Sequence, residues 1–105
     1  MDLDEMQKEI WDNKLKKGFN TTNVQMEFCY LYGEVAEAYD AYLKKHQDLG
    51  LELADIAIYL MGLSNMLGFS LKEQIEKKME INKNRHYIVD ENGVLKKVDD
   101  KSENK

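Results

Sequence analysis

Four carboxylate residues form two matching pairs in the middle of the chain. Glu34 and Glu37 lie three positions apart, and so do Glu52 and Asp55. Residues three apart on a helix share one face. The second pair stands out because it supplies the only charges between positions 49 and 69, and charged side chains are rarely buried without a counter-charge or a metal ion.

Each acidic pair borders the apolar side of its predicted helix. A short connection joins the two helices, so we predict that they pack antiparallel and bring Glu34, Glu37, Glu52 and Asp55 together. Converging carboxylates repel one another. Either some carry protons and have raised pKa values, or Mg²⁺ or Mn²⁺ binds among them. The alternative is two ordinary solvated faces, since Glu-x-x-Glu is common on helices.

A second polar group lies near the end of the last predicted helix. Lys78, Asn82 and Arg85 follow one another at steps of four and three. An ammonium, an amide and a guanidinium on one face are well suited to hold phosphate. The alternative is a solvated basic helix end, where cations complement the helix dipole.

Apolar periodicity and helix-end signals predict the elements that position these groups. We predict helices over about 4–17, 23–45, 48–67 and 70–85, with Thr22, Asp48 and Ser70 as N-caps. Asn92-Gly93 predicts a β-hairpin over about 86–98. The chain is therefore expected to be all-α, a four-helix bundle-type domain over residues 1–98 with a small C-terminal hairpin, followed by a disordered tail over 99–105.

Apolar stripes on the four helices make up the predicted core. They comprise Leu3, Met6, Ile10 and Trp11; Val24, Phe28, Leu31, Val35, Ala38 and Tyr42; Leu49, Leu53, Ile56, Leu60, Leu63 and Leu67; and Leu71, Ile75 and Met79. This much apolar surface on four helices predicts that one face is buried against a second copy of the chain.

Composition limits the function classes. A net charge of -5 over 105 residues argues against nucleic-acid binding. Cys29 is the only cysteine, and the acidic N-terminus is unlike a targeting peptide, so a cytoplasmic protein is expected. The apolar stretch over positions 49–69 is long enough to span a membrane, but its two acids favour a soluble core helix.

The ordered set of motifs resembles the MazG-like, all-α nucleotide pyrophosphohydrolases. The matching signature is Glu34-x-x-Glu37, then Glu52-x-x-Asp55, then Lys78-x3-Asn82-x2-Arg85-x-Tyr87. The resemblance extends over about residues 11–87. One departure is Gly33, which stands where many members have a further Glu.

The resemblance implies a reaction and roles for these residues. Such enzymes cleave nucleoside or deoxynucleoside triphosphates between the α and β phosphates, with Mg²⁺ (Mn²⁺ being possible) as cofactor. The four carboxylates would bind the metal, and one of them would help to activate water. Lys78, Asn82, Arg85 and Tyr87 would bind substrate, and the protein would be a homodimer or homotetramer. Two alternatives remain: a non-catalytic bundle that binds a nucleotide or a protein, and a pyrophosphohydrolase acting on a phosphoribosyl-nucleotide.

Several residues are candidates for contacting the base. Trp11 could stack on it, although a core or interface position is the more common use of such a residue. Asn20 and Asn23 precede the second predicted helix and could bind a base edge or merely cap the helix. Tyr30 and Tyr59 share the faces of the acidic pairs and could contact a ligand or pack at an interface.

Overall fold

Four helices and a hairpin make up residues 1–98, the part of the chain that the computed structural model describes. They are α1 (Leu3–Lys17), α2 (Val24–Leu43), α3 (Leu49–Leu67), α4 (Leu71–Lys83), β1 (His86–Val89) and β2 (Leu95–Val98). The prediction of a mostly helical fold with a small C-terminal hairpin is confirmed. The predicted tail lies outside the described residues.

The described residues divide into two compact units, 1–72 and 73–98. In the first unit α3 packs against both α1 and α2. Residues 44–48 join α2 to α3 directly, so the two helices run antiparallel and their facing residues meet at matching heights.

Helix ends explain two corrections to the predicted caps. The N-cap of α2 is Asn23 rather than Thr22, because its side chain accepts a hydrogen bond from the Met26 amide. Asn20 fixes the preceding turn, since its Oδ1 accepts from the backbone amides of Thr22 and Asn23. Asp48 occupies the N-cap position of α3, but its side chain makes no capping hydrogen bond.

The buried core of the first unit is narrower than the predicted stripes. Ala38, Ala41, Met61 and Leu63 are the buried apolar residues among those described. By contrast, Val35 is 49 % exposed, Tyr42 62 % and Leu53 54 %. The core prediction was therefore wrong for much of α2 and α3. Small residues such as Gly62 and Ser64 take up part of the buried positions, and many bulky side chains remain exposed in the single chain.

A hydrogen-bonded amide joins α1 to the end of α3. Gln7 is buried, and its Nε2 donates to Asn65 Oδ1 (3.0 Å) and to the Phe69 carbonyl (2.7 Å). Asn65 Nδ2 donates in return to the Gln7 carbonyl at 2.8 Å. Gln7 Oε1 accepts from the Leu71 amide at 3.0 Å. One side chain thus fixes the turn between α3 and α4.

The hairpin of the second unit is antiparallel and pairs His86 with Val98. Its turn is built around Asp90, whose Oδ1 accepts from the amides of Asn92 and Val94. Gly93 has a positive φ of 77°, which glycine adopts without steric cost. The sequence signal for this turn is confirmed.

Helix α3 is long and apolar enough to cross a membrane, judged by its length and composition alone. A single helix of this kind is weak evidence for a membrane span, because core helices of soluble proteins have the same character.

Candidate metal centre

Three of the four predicted carboxylates come together between α2 and α3. Glu34 and Glu37 lie one turn apart on α2, and Glu52 lies in the first turn of α3. One carboxylate oxygen from each of the three lies within 4.8 Å of the others. The antiparallel α2–α3 pair therefore converts two sequence motifs into one acidic group.

Two oxygens of this group lack the partners that buried polar atoms normally have. Oε2 of Glu34 and Oε2 of Glu52 are both buried, and neither has a hydrogen-bond partner among the described residues. Leaving a buried polar atom unsatisfied costs about 1–3 kcal/mol, and more for a charged group. Acidic clusters are common at protein surfaces, but buried and unsatisfied carboxylate oxygens are rare.

Burial and neighbouring negative charges raise the pKa of Glu34. Burial is the largest cause, followed by the negative charges of Glu37, Asp55 and Glu52. The effect of Asp55 shows that this residue lies close to Glu34. It is exposed, however, and it is not one of the three residues whose oxygens approach within 4.8 Å.

These residues fit a hard divalent cation. Mg²⁺ and Mn²⁺ prefer carboxylate and water oxygens, and a cation placed among the three carboxylates would offset their mutual repulsion. Glu34, Glu37 and Glu52 could hold such an ion, with Asp55 beside them.

The predicted phosphate-binding residues belong to the second unit. Lys78 and Asn82 are exposed and lie one turn apart on α4. Helix α4 ends at Lys83, so Arg85 follows the helix and does not continue its face as predicted; its amide donates to the Asn82 carbonyl in a closing turn. Tyr87 is 50 % exposed on β1.

A pocket of about 450 Å³ lies in the first unit. Its apolar lining comprises Ile10, Phe19, Tyr30, Ile58 and Tyr59. The rings of Tyr30 and Tyr59 meet edge to face, with their centroids 6.3 Å apart. Tyr30 lies one turn before Glu34 on α2, and Tyr59 one turn after Asp55 on α3. Tyr30 therefore lies about 5.4 Å along α2 from Glu34, and Tyr59 lies the same distance along α3 from Asp55.

A buried ion pair also lines this pocket. Lys14 Nζ lies 3.0 Å from Glu27 Oε2, and the two side chains are only 10 % and 2 % exposed. Asn20 Nδ2 donates to the other oxygen of Glu27 at 3.2 Å. Sequence reasoning missed Lys14 because it stands in a polar stretch of α1, and it missed Glu27 because the partner of that residue lies on another helix. A usable signal was Glu27 itself, which lies one turn before Leu31 and Tyr30 on an otherwise apolar helix segment.

The base-contact candidates have different surroundings. Trp11 is half-buried on α1 and does not line the pocket. Asn20 lines it, but both ends of its amide are engaged in the turn before α2 and with Glu27. Asn23 serves as a helix cap.

Comparisons with known proteins agree with this architecture. The model of the MazG-like family matches residues 3–100 of the chain. Among solved structures, the chain is similar to the MazG-like pyrophosphohydrolase of cyanophage S-2L bound to dGDP and three catalytic Mn²⁺ ions per active site. The TM-score is 0.70, and the two chains are 24 % identical over 94 % of this chain and 99 % of the phage protein. This likeness shows the fold. No curated protein matched the chain.

Proposed function

Because the chain belongs to the MazG-like family, we propose that it is a nucleotide pyrophosphohydrolase. The proposed reaction is hydrolysis of a nucleoside or deoxynucleoside triphosphate between the α and β phosphates, which releases a nucleoside monophosphate and pyrophosphate. The cofactor would be Mg²⁺, with Mn²⁺ as an alternative. The phage relative supports this class, since it is a pyrophosphohydrolase bound to a nucleotide and Mn²⁺.

The observation that carries the proposal is the acidic group with its two unsatisfied oxygens. Three carboxylates within 4.8 Å of one another, of which Glu34 and Glu52 have buried oxygens without partners, would be unstable as a merely structural feature. A cation-binding role explains why they are retained together.

Each residue of the group would have a defined task. Glu34, Glu37 and Glu52 would hold the cation, and Asp55 would complete its surroundings. When bound, a divalent cation supplies Lewis-acid stabilisation of the negative charge that phosphoryl transfer develops. A carboxylate of the group would accept the proton of the attacking water, and the adjacent α2–α3 backbone keeps these groups at fixed distances.

The roles of Lys78, Asn82, Arg85 and Tyr87 in binding substrate are part of the proposal and follow from the resemblance. Their contribution is tested by Lys78→Met and Asn82→Ala, for which the KM for nucleotide should rise while the folded state persists. A KM unchanged from wild type in both variants would show that Lys78 and Asn82 do not bind substrate.

The exposed apolar residues of α2 and α3 support a homodimer or homotetramer. Phe28, Val35 and Tyr39 of α2, together with Leu53 and Leu60 of α3, are each at least 40 % exposed. Exposed apolar residues in this number on neighbouring helices are typical of interaction sites. Sedimentation of the protein would give its oligomeric state, and a monomer at all concentrations would contradict this part of the proposal. The proposed location is the cytoplasm.

The deciding experiment measures pyrophosphate release from a panel of ribo- and deoxynucleoside triphosphates with Mg²⁺, Mn²⁺ or EDTA. We expect release that depends on metal and yields a monophosphate. A phosphoribosyl-nucleotide is included in the panel, and release from it alone would assign the enzyme to that substrate class instead. If the protein is folded and binds Mn²⁺ but releases no pyrophosphate from any substrate, we would conclude that it is a nucleotide- or protein-binding module.

A further inference from the structure

The pocket lined by Tyr30 and Tyr59 contains a charged group that the proposed hydrolysis does not use. Its volume of about 450 Å³ lies within the range of small-molecule pockets, roughly 300–1,000 Å³. Half of its lining residues are aromatic or aliphatic, and these suit a flat heterocycle. Lys14 and Glu27 form the polar part of the wall that is shielded from solvent.

Of this pair, the ammonium is the group able to meet a ligand. Glu27 Oε2 is buried, and Glu27 Oε1 already accepts from Asn20. Lys14 is the more exposed partner, at 10 % against 2 %. An ammonium has three N–H donors and no acceptor, and Glu27 is the one ion-pair partner of Lys14 within residues 1–98. The Lys14 ammonium can therefore donate a further hydrogen bond to a ligand.

The Lys14 side chain is held in this position by α3. A Cβ added to Gly62 would lie 3.6 Å from Lys14 Cδ and 3.7 Å from Nζ, so the end of the lysine side chain runs along the bare backbone of that helix. Lys14 lines the pocket, and its ammonium is held by a counter-ion on α2 and by packing against α3. A fixed donor in an apolar pocket discriminates ligands more sharply than a mobile surface lysine.

We propose that this pocket takes the base of the substrate and that Lys14 selects bases with an oxo group at C6 of a purine or C4 of a pyrimidine. This inference rests on the proposed nucleotide chemistry. The pocket is placed for it, because Tyr30 and Tyr59 lie one helical turn from Glu34 and Asp55. A nucleotide whose phosphates lie at the acidic group would have its base on the far side of these rings.

The selectivity follows from hydrogen-bond polarity. Guanine, hypoxanthine, uracil and thymine present a carbonyl acceptor at this position, whereas adenine and cytosine present an amino group. An amino group opposite Lys14 would set donor against donor and leave buried polar groups unpaired. Sites built to form a hydrogen bond with their substrate reject analogues that lack the partner. Of the other polar lining residues, Glu9 and Asn13 are exposed, and the amide of Asn20 is engaged in the turn before α2 and with Glu27.

The test compares matched substrates that differ at this position. kcat/KM is measured for dITP against dATP and for dUTP against dCTP, with Mg²⁺. We expect the oxo member of each pair to be preferred by at least about tenfold. Equal values, or a preference for the amino member in either pair, would overturn the inference.

A double variant tests the assignment to Lys14. Lys14→Met combined with Glu27→Gln removes both charges, so no buried charge is left without its partner. We expect it to hydrolyse the oxo and amino members of each pair about equally. Lys16→Met, on the exposed side of α1, is the matched control and should retain the wild-type preference. A double variant that keeps the preference would remove Lys14 from base selection.

A binding measurement that needs neither metal nor turnover distinguishes failure of the proposed reaction from failure of this inference. Binding of dIMP and dAMP to wild-type protein in EDTA is followed by intrinsic fluorescence. Tighter binding of dIMP without turnover of any nucleotide would support this inference and remove the proposed activity. Turnover of triphosphates with equal binding of dIMP and dAMP would support the proposed activity and overturn this inference. The same measurement decides the matter if the double variant does not fold.

Discussion

Gln7 and Asn65 hold each other through two reciprocal hydrogen bonds. Gln7 Nε2 donates to Asn65 Oδ1 at 3.0 Å, and Asn65 Nδ2 donates to the Gln7 carbonyl at 2.8 Å. Gln7 is 7 % exposed and also bonds the Phe69 carbonyl and the Leu71 amide. The side chain of one α1 residue thereby satisfies backbone groups at the end of α3 and the start of α4.

Replacement of Gln7 by Leu should lower the free energy of unfolding by at least about 2 kcal/mol, because several buried polar groups lose their partner. Urea unfolding followed by circular dichroism measures the change. Gln25→Leu, at an exposed position of α2, is the control and should change stability by no more than about 0.5 kcal/mol. Equal stability of the two variants would show that water replaces the Gln7 bonds.

Divalent cations should stabilise the folded protein through the acidic group. A ligand present at 100 times its Kd stabilises by about 2.7 kcal/mol, so Mn²⁺ should raise Tm measurably over EDTA. Glu34→Gln and Glu52→Gln should each abolish most of this increase, since they remove the buried oxygens that lack partners. Glu76→Gln on α4 is the control. A full Mn²⁺-dependent increase in both site variants would place the metal elsewhere.

Without metal, stability should fall as the pH rises. The pKa of Glu34 is raised above its ordinary value of 4.5 by burial and by neighbouring negative charges, so the folded state binds the proton more tightly than the unfolded chain. The unfolding free energy is therefore highest below pH 4.5 as far as Glu34 is concerned, and it falls as the pH rises through the folded-state pKa.

Urea unfolding in EDTA between about pH 5 and pH 8 measures this slope. Glu34→Gln should be less sensitive to pH than wild type and more stable at the upper end. If the two proteins showed the same pH dependence, the Glu34 carboxyl would have an ordinary pKa in the folded state.

The Lys14–Glu27 pair should show strong coupling in a double-mutant cycle. Either Lys14→Met or Glu27→Gln alone leaves the other group buried without its partner, which typically costs about 3–5 kcal/mol for a buried charge. The double variant should be much closer to wild type, because replacing both members of a buried pair is often neutral. Additive losses across the cycle would mean that each side chain acts through packing alone.

One substitution should have opposite effects at two glycines. Gly33 lies within α2 with open space around its Cα, so Gly33→Ala should stabilise the helix by about 0.5–1 kcal/mol. Gly18 ends α1 with a positive φ of 70°, and Gly18→Ala should destabilise by about 1 kcal/mol because L-residues are strained there. Thermal unfolding of both variants measures the signs, and stabilisation at Gly18 would contradict the assigned cap.

Local signals predicted most of the elements but not the packing between them. Helix lengths follow from apolar periodicity, and the hairpin follows from Asn92-Gly93, because both depend on residues close in sequence. The core prediction failed at Val35, Tyr42 and Leu53 because a heptad stripe shows which side of a helix is apolar, not whether this chain or another covers it.

The same distinction between local signals and packing applies to the candidate site. The grouping of Glu34, Glu37 and Glu52 was predictable from spacing and an antiparallel pair of helices. The Lys14–Glu27 pair was not, because its two residues lie on helices that α3 brings together, and a polar residue gives no local sign that its partner is distant.

The unsatisfied oxygens of Glu34 and Glu52 also bear on how long the protein survives in a cell. Proteases act on the transiently opened chain, so degradation follows the opening equilibrium when opening is fast relative to cleavage. A cation that pairs these oxygens would lower the open population, and its loss would raise it. The abundance of the protein would then follow the supply of the ion that its chemistry needs. In cells that lack this ion, the metal-free protein would be degraded faster than the metal-bound protein.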